Sequence, residues 1–219
     1  MPLQALDLPL GDPDLCDRAS SLIGEALDER IPRWIHDRRD SPIPGFVPAD
    51  YPLVYQALAA VEQHGLAPGR RFLEWGSGFG VVTAMASLLG YDAFGVEVEP
   101  DLVDQAEMLV EDHGIAATFA RGSYLPEDAD KIADQINDMS WLETDRPDGY
   151  DELGLEIDDF DVIYVYPWPG EEPVAEACFE RFAATGALLL TYRTDDRLWL
   201  HRKVKGERKK RGVGSRRRS

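Results

Sequence analysis

The chain predicts a doubly wound α/β fold, a mostly parallel sheet with helices on both faces, and three observations carry that expectation. The stretch FLEWGSGFG, residues 72–80, reads as a buried strand that breaks into a loop with glycine at alternate positions, Gly76, Gly78 and Gly80. Glycine tolerates unusual backbone angles and lets a ligand approach the main chain. VVTAMASLLG follows with helical apolar spacing and ends in Gly90, so the loop feeds a helix whose N-terminal amides face whatever sits against it. A second strand pattern, AFGVEVEP, carries Glu97 twenty-one residues after Gly76, and from there helix and strand patterns alternate.

An acid at that distance can accept hydrogen bonds from both hydroxyls of a ribose, so strand, loop, helix and acid together predict a nucleoside-containing cofactor. The glycine spacing chooses between cofactors. A dinucleotide fingerprint GxGxxG beginning at Gly76 needs a small residue at position 81, where the chain has Val81. The pattern present is acid-x-Gly-x-Gly-x-Gly, from Glu74 to Gly80. With Glu97 it resembles the class I S-adenosylmethionine-dependent methyltransferases over roughly residues 46–193. That resemblance implies a Rossmann-like sheet and S-adenosylmethionine as cofactor. It implies that Glu74, Gly76, Ser77, Gly78 and Gly80 lie beside the methionine portion, with Glu97 on the ribose. Members often carry an aspartate after the third strand that contacts the adenine amino group. Here that position is Ser123, whose hydroxyl can accept a hydrogen bond instead.

Length and composition agree with one such domain. The 219 residues suffice for a single α/β core of ordinary size. Cys16 and Cys178 are the only cysteines, no apolar run approaches a membrane span, and MPLQALDLPLGDPD lacks the basic start and apolar centre of a signal peptide, so a reduced, cytoplasmic protein is expected. Of the net charge of −18, the stretch from Arg202 to Ser219 holds ten basic residues and one acid, which puts the tail at +9 and the remainder at −27. Such a body repels phosphate backbones, and any nucleic-acid contact has to use the tail or a local patch.

From the N-terminus, DPDLCDRASSLIGEALDERI predicts a peripheral helix that Pro32 ends, and four prolines from Pro32 to Pro48 predict an extended segment across the domain. Within it Trp34 reads as a packing anchor and His36 as a surface residue. Asp50 is placed to cap a helix with a buried stripe from Leu53 to Val61. The letters FVPADYP are also similar to a pre-cofactor segment of some protein-lysine methyltransferases, although a capped helix behind a proline accounts for them equally. PDLVDQAEMLVEDHGI and AATFARGS supply the next helix and the third strand.

Residues 124–160 form an acidic insertion, with a helix over PEDADKIADQINDMSWL. A loose stretch comes after it, in which nine acids and one arginine lie between Glu143 and Asp161. FDVIYVYPWPGEEP gives a fourth strand that ends in a rigid turn, at the strand end where open α/β sheets bind ligands. Relatives acting on exocyclic or amide nitrogens often carry Asn/Asp-Pro-Pro-aromatic here; Tyr166-Pro167-Trp168-Pro169 departs from it, which disfavours adenine-N6 and glutamine-amide chemistry. Tyr166, Trp168 and Glu171 are the substrate-side candidates, with Glu171 and Glu172 equally suited to the N-terminus of the helix PVAEACFERFAA. ALLLTYR is a central fifth strand and RLWLHRK one more, so the sheet is expected to be reduced after strand five, and KGERKKRGVGSRRRS to be disordered.

The predicted organisation is an N-terminal helix and extended segment over residues 1–48, a cofactor-binding domain over 49–203 and a basic tail over 204–219. The resemblance implies methyl transfer to an amine or other nucleophile, with a protein lysine ahead of RNA and small molecules because the FVPADYP resemblance points there and the acidic body suits basic substrates. Two alternatives stay open: a nicotinamide oxidoreductase, against which Val81 argues, and a noncatalytic protein acting through its tail on RNA or an acidic partner. No His/Asp or Cys/His arrangement nominates a catalytic base, and no metal site is expected.

Overall fold

Apolar alternation and glycine-ended helices build one mixed sheet flanked by helices, as a computed structural model describes for residues 2–11, 15–39, 46–126, 129, 132, 147, 149–193, 195 and 197–205. The strands are β1 (Leu3–Leu6), β2 (Arg71–Trp75), β3 (Asp92–Glu97), β4 (Ala117–Arg121), β5 (Val162–Val165), β6 (Leu188–Arg193) and β7 (Arg197–Lys203). Their spatial order is β1-β7-β6-β5-β2-β3-β4, parallel from β6 to β4 and antiparallel where β7 meets β6 and β1. The central strands β2 and β5 are buried on both faces, which their unbroken apolar runs require.

Helices α1 (Asp17–Glu25), α2 (Ile31–Asp37), α3 (Tyr51–Gln63), α4 (Val81–Leu88) and α5 (Pro100–Asp112) precede α6 (Glu172–Phe182). Buried residues of α1, α3, α4 and α5 pack with Phe72, Val162, Leu188 and Leu190 on one side of the sheet. Val174, Cys178 and Phe179 of α6 pack with Leu73, Ile163 and Leu189 on the other. The stripe of α3 begins as its sequence predicts, since the Asp50 carboxylate accepts the Leu53 N–H at 3.0 Å, a cap worth about 1 kcal/mol.

Three expectations are corrected. Pro32 does not end the first helical run. It lies in the first turn of α2, reached through a π turn at Ala26–Arg30 in which the Ile31 N–H bonds to the Ala26 carbonyl. The longer hydrogen-bonded step accommodates a residue that has no N–H, so the helical path continues to Asp37 where an extended segment was expected. Trp34 on α2 is the packing anchor anticipated, edge-on to Phe79 with centroids 5.4 Å apart.

The second correction concerns the acidic stretch. Its expected helix falls almost wholly outside the described residues, but from Gly149 onward the chain is packed rather than loose. A helical turn at Tyr150–Leu153 and a 3₁₀ turn at Ile157–Asp159 bury Tyr150, Ile157 and Phe160, and Glu156 with Asp159 forms a capping box. The apolar residues between the acids decide the matter.

The third is the sheet edge. After β6 the chain supplies one further strand, as expected, but the sheet is not left short, because Leu3–Leu6 pairs with β7 at Leu3↔Lys203 through Leu6↔Leu200. Residues 1–48 therefore contribute a strand and core side chains to the same sheet and helical layer. The basic tail from residue 206 onward lies outside the described residues.

Candidate functional site

A cleft of about 520 Å³ opens over the C-terminal ends of β2 to β5, a volume within the range of small-molecule sites. One wall is the glycine loop. Gly76, Gly78 and Gly80 hold φ of 70°, 52° and 69°, the left-handed region that favours glycine. The Gly76 and Ser77 N–H groups both donate to the Val96 carbonyl, at 2.9 and 3.0 Å, which ties the loop to β3. At Gly78 a Cβ would stand 2.9 Å from the Phe46 ring. Gly76, Ser77 and Gly78 line the cleft, whereas Gly80 does not: it closes the first turn of α4, and a Cβ there would run into Phe119 and Ala106. Its role is packing.

Glu74 lies beneath this loop, 4% exposed. Its Oε2 accepts the Thr83 N–H at 2.8 Å and the Thr83 hydroxyl at 2.6 Å, so it caps α4 from inside the core. Part of the amide array that the sequence offered to a ligand is thus taken up by the chain itself. Burial pushes the Glu74 carboxyl up to about 8 against those two hydrogen bonds, and the nearby charge of Glu97 pushes the same way. Glu74 is therefore mainly neutral at pH 7.

Glu97, at the end of β3, accepts the Gly78 N–H on Oε2 at 2.9 Å and the Glu99 N–H on Oε1 at 3.0 Å, and the Val98 N–H acts on the same carboxylate. Burial raises its pKa, the Glu99, Gly78 and Val98 amides pull against that rise, and the nearby Glu99 charge adds to it. A carboxylate offers about four lone-pair sites. Three backbone N–H groups do not fill them, so the carboxylate keeps acceptor capacity, an arrangement that fits a ribose hydroxyl. Ser123 is in the same wall. Its hydroxyl accepts the Leu125 N–H at 3.1 Å, and its backbone bonds to Pro147 and Gly149, so it organises the chain beyond β4 as well as facing the cleft.

The opposite wall is the exit of β5. Tyr166, Trp168 and Glu171 all line the cleft, and the Tyr166 ring packs edge-on against Tyr192 with centroids 4.7 Å apart. Glu171 is 5% exposed. Glu172 turns elsewhere, its carboxylate meeting the Gly170 N–H at 2.8 Å and Arg193 at 3.4 Å. The two neighbouring acids therefore part company, one into the cleft and one onto Gly170 and Arg193.

Phe46, Tyr51 and Tyr164 also line the cleft; Phe46 and Tyr51 belong to the FVPADYP stretch that resembles a pre-cofactor segment, whereas Tyr164 was not singled out in the sequence. Tyr164 pairs across from Glu74 in the β2–β5 register, and burial lifts its phenol well above the ordinary range. Strand alternation from Glu74 would have pointed to Tyr164. The fold adds that Phe46, the first residue of FVPADYP, lies against Gly78 of the loop. Among the described residues, Trp75, Ser77, Tyr124 and Tyr164 beside the cleft each hold a buried polar atom without a hydrogen-bond partner, which is common where a polar ligand belongs.

Sheet order, glycine loop and acid-ended β3 define the class I S-adenosylmethionine-dependent methyltransferase fold. An RNA methyltransferase of Salinibacter ruber, solved with S-adenosyl-L-homocysteine, shares this fold with a TM-score of 0.51 at 16% identity, over 74% of this chain and 97% of that one. No family model matches the chain. In sequence it is similar to the ribosomal protein L11 methyltransferase of Thermus thermophilus, 39% identical over 67 residues, which is 31% of this chain and 26% of that protein. It is also similar to the ribosomal protein L11 methyltransferase of Ralstonia pickettii, 31% identical over 108 residues, 45% of this chain and 34% of that protein. The matched region thus spans about a quarter to a third of the length of these relatives. Among the described residues, no helix is long and apolar enough to cross a membrane.

Proposed function

We propose that the chain binds S-adenosylmethionine in this cleft and transfers its methyl group to an amine, a protein lysine being the favoured acceptor. The observation that carries the reading is the Glu97 carboxylate, pinned by backbone amides that include Gly78 and Glu99 at the mouth of a left-handed glycine loop, with acceptor capacity to spare. The donor set fits the cofactor: Glu97 for the ribose hydroxyls, Gly76, Ser77 and Gly78 for close approach of the methionine portion, and Ser123 at the adenine end. Bound there, the cofactor supplies an activated methyl group, and the protein's task is chiefly alignment, which can contribute up to about 7–11 kcal/mol.

Tyr166 and Trp168 form the aromatic side of the acceptor wall, and Glu171 places a carboxylate within it. Rings and a carboxylate together suit a cationic side chain. An ammonium has to lose a proton before its nitrogen can attack, and the Glu171 carboxylate is the group on this wall that can receive it. The acidic body, at −27 without its tail, favours a basic protein. The relatives named for a ribosomal protein support a protein acceptor, and the reducing cytoplasm is the compartment that two unpaired cysteines suit.

Calorimetry with S-adenosylmethionine and its demethylated product tests the cofactor, and labelled-methyl transfer into fractionated cell extract tests the acceptor. Label that survives nuclease and is lost to protease supports the protein reading. Label in RNA or in small molecules replaces the acceptor, and absence of cofactor binding removes the whole reading.

A further inference from the structure

The cleft is lined by charge of one sign. Glu74, Glu97, Glu99 and Glu171 all contribute to it, and the described lining holds no lysine, arginine or histidine. What positive character it has comes from backbone N–H groups, on Glu97 and at the first turn of α4. A ligand that brings its own positive charge gains in such a site what a neutral ligand does not.

Glu74 is the carboxyl placed to answer that charge. It is buried yet lines the cleft, and the Thr83 N–H and hydroxyl both bond to Oε2, so Oε1 takes no part in either bond. The groups that act on it are Thr83 on α4 and the Glu97 carboxyl on β3, with no cationic side chain among them. The Tyr51 phenol of α3 and the Tyr164 phenol of β5 feel its charge in turn, and burial raises both, which keeps them neutral at physiological pH. The Tyr164 hydroxyl is itself buried without a hydrogen-bond partner. Burial with no cation beside it is why the Glu74 carboxyl stands at about 8. A positive charge entering the cleft favours the ionised form and reverses that balance.

The two states of the cofactor differ in this one respect. S-adenosylmethionine carries a sulfonium, an ammonium and a carboxylate, and so one net positive charge. When the sulfur–methyl bond breaks, the electron pair stays on sulfur, and the thioether product has no net charge. We propose that Glu74 gives up its proton to solvent when S-adenosylmethionine enters the cleft and keeps it when S-adenosylhomocysteine does, so that the site favours the donor over its spent product. The proposal rests on the cofactor reading above. After transfer the positive charge belongs to the methylated acceptor nitrogen, and Glu74 takes a proton back from solvent.

The test is calorimetry of the full chain in two buffers of different ionisation enthalpy, which counts the protons released per ligand bound. The two ligands share their amino group and ribose, so titration of that amino group and of Glu97 cancels in the comparison. At about pH 7 S-adenosylmethionine should release about half a proton or more beyond S-adenosylhomocysteine, and at about pH 9 the difference should vanish. Affinity for the donor relative to the product should rise about tenfold from about pH 6 to about pH 8 and then level off. Glu74→Gln keeps an oxygen for the Thr83 bonds and cannot ionise, so it should still bind both ligands with no difference in proton release. Thr83→Val removes a hydrogen bond that favours the ionised form and should move the rise to higher pH. Thermal melting checks that the variants fold, and Thr83→Val decides the matter if Glu74→Gln does not. Equal proton release for the two ligands, or a difference that persists in Glu74→Gln, would overturn the proposal and leave cofactor binding in place. Binding of neither ligand at any pH would instead remove the cofactor reading and the proposal together.

Discussion

Along the wall made by β2, its loop and the end of β3, the chain fastens itself. Gly76 and Ser77 bond to Val96, Gly78 to Glu97, and Thr83 to Glu74, so backbone and buried carboxyl groups set each position. The wall at the β5 exit is held differently, by a Pro-Trp-Pro turn, by Tyr166 against Tyr192 and by the parting of Glu171 from Glu172. A hydrogen-bonded wall fixes atoms closely and tolerates few substitutions. A wall of rings and prolines fixes shape and leaves chemistry adjustable. The cofactor side should therefore be brittle and the acceptor side tunable.

The largest expected effect breaks the first wall at its tightest point. Gly78→Val forces a branched side chain into a left-handed backbone and against the Phe46 ring, and it should cost about a hundredfold or more in S-adenosylmethionine affinity while circular dichroism stays that of a folded protein. Unchanged affinity would show that the cofactor does not lie against the loop. Next comes Glu97→Ala, expected to lose at least about tenfold, since hydrogen bonds to a charged group contribute about 1.5–3 kcal/mol each. Glu97→Gln should fall between. Glu99→Ala should change little, because Glu99 reaches Glu97 through its backbone N–H, which alanine keeps. A Glu97→Ala protein that still discriminates fully against a 2′-deoxyribose analogue would move the ribose contact elsewhere.

A smaller effect concerns Glu74 and pH. Its folded pKa, about 8, lies above the usual carboxylate value, so the protonated form is the one the fold favours. Its contribution to stability is complete below the unfolded pKa and is lost as pH rises from there through about 8. Melting temperature across pH 5 to about 9 should fall more in the parent than in Glu74→Gln, by a few degrees. Parallel profiles would mean that Glu74 is ionised throughout. The smallest effect sharpens the contrast from the other side: Trp168→Ala should leave cofactor affinity within about twofold while slowing transfer to the acceptor, as expected of a residue on the second wall alone.

How much of this was legible depends on how local each cause is. The loop, α4, β3 and Glu97 are written within residues 72–97, where glycine spacing, apolar runs and one acid suffice. Tyr166, Trp168 and Glu171 were legible because a strand end leading into two prolines can only be a loop at the ligand end of the sheet. Leu3–Leu6 was not, since four residues give too short an alternation and the partner strand is some two hundred residues away. Gly80 was grouped with its neighbours because sequence shows that glycine is present but not whether the missing Cβ leaves room for a ligand or for Phe119. Phe46 and Tyr51 lie in FVPADYP, whose likeness to a pre-cofactor segment pointed to this neighbourhood, but which of its residues reach the cleft is decided by the packing of α3 and the chain ahead of it.

The pairing of Leu3 with Lys203 also orders events in time. The ribosome makes β1 well before its partner, so through most of synthesis β1 has no strand beside it, and β6 has a bare outer edge until β7 emerges. Contacts this distant in sequence form slowly, and unpaired edges invite association with other chains. During translation the half-built sheet is an open template, and β7 closes it from both sides in one late step.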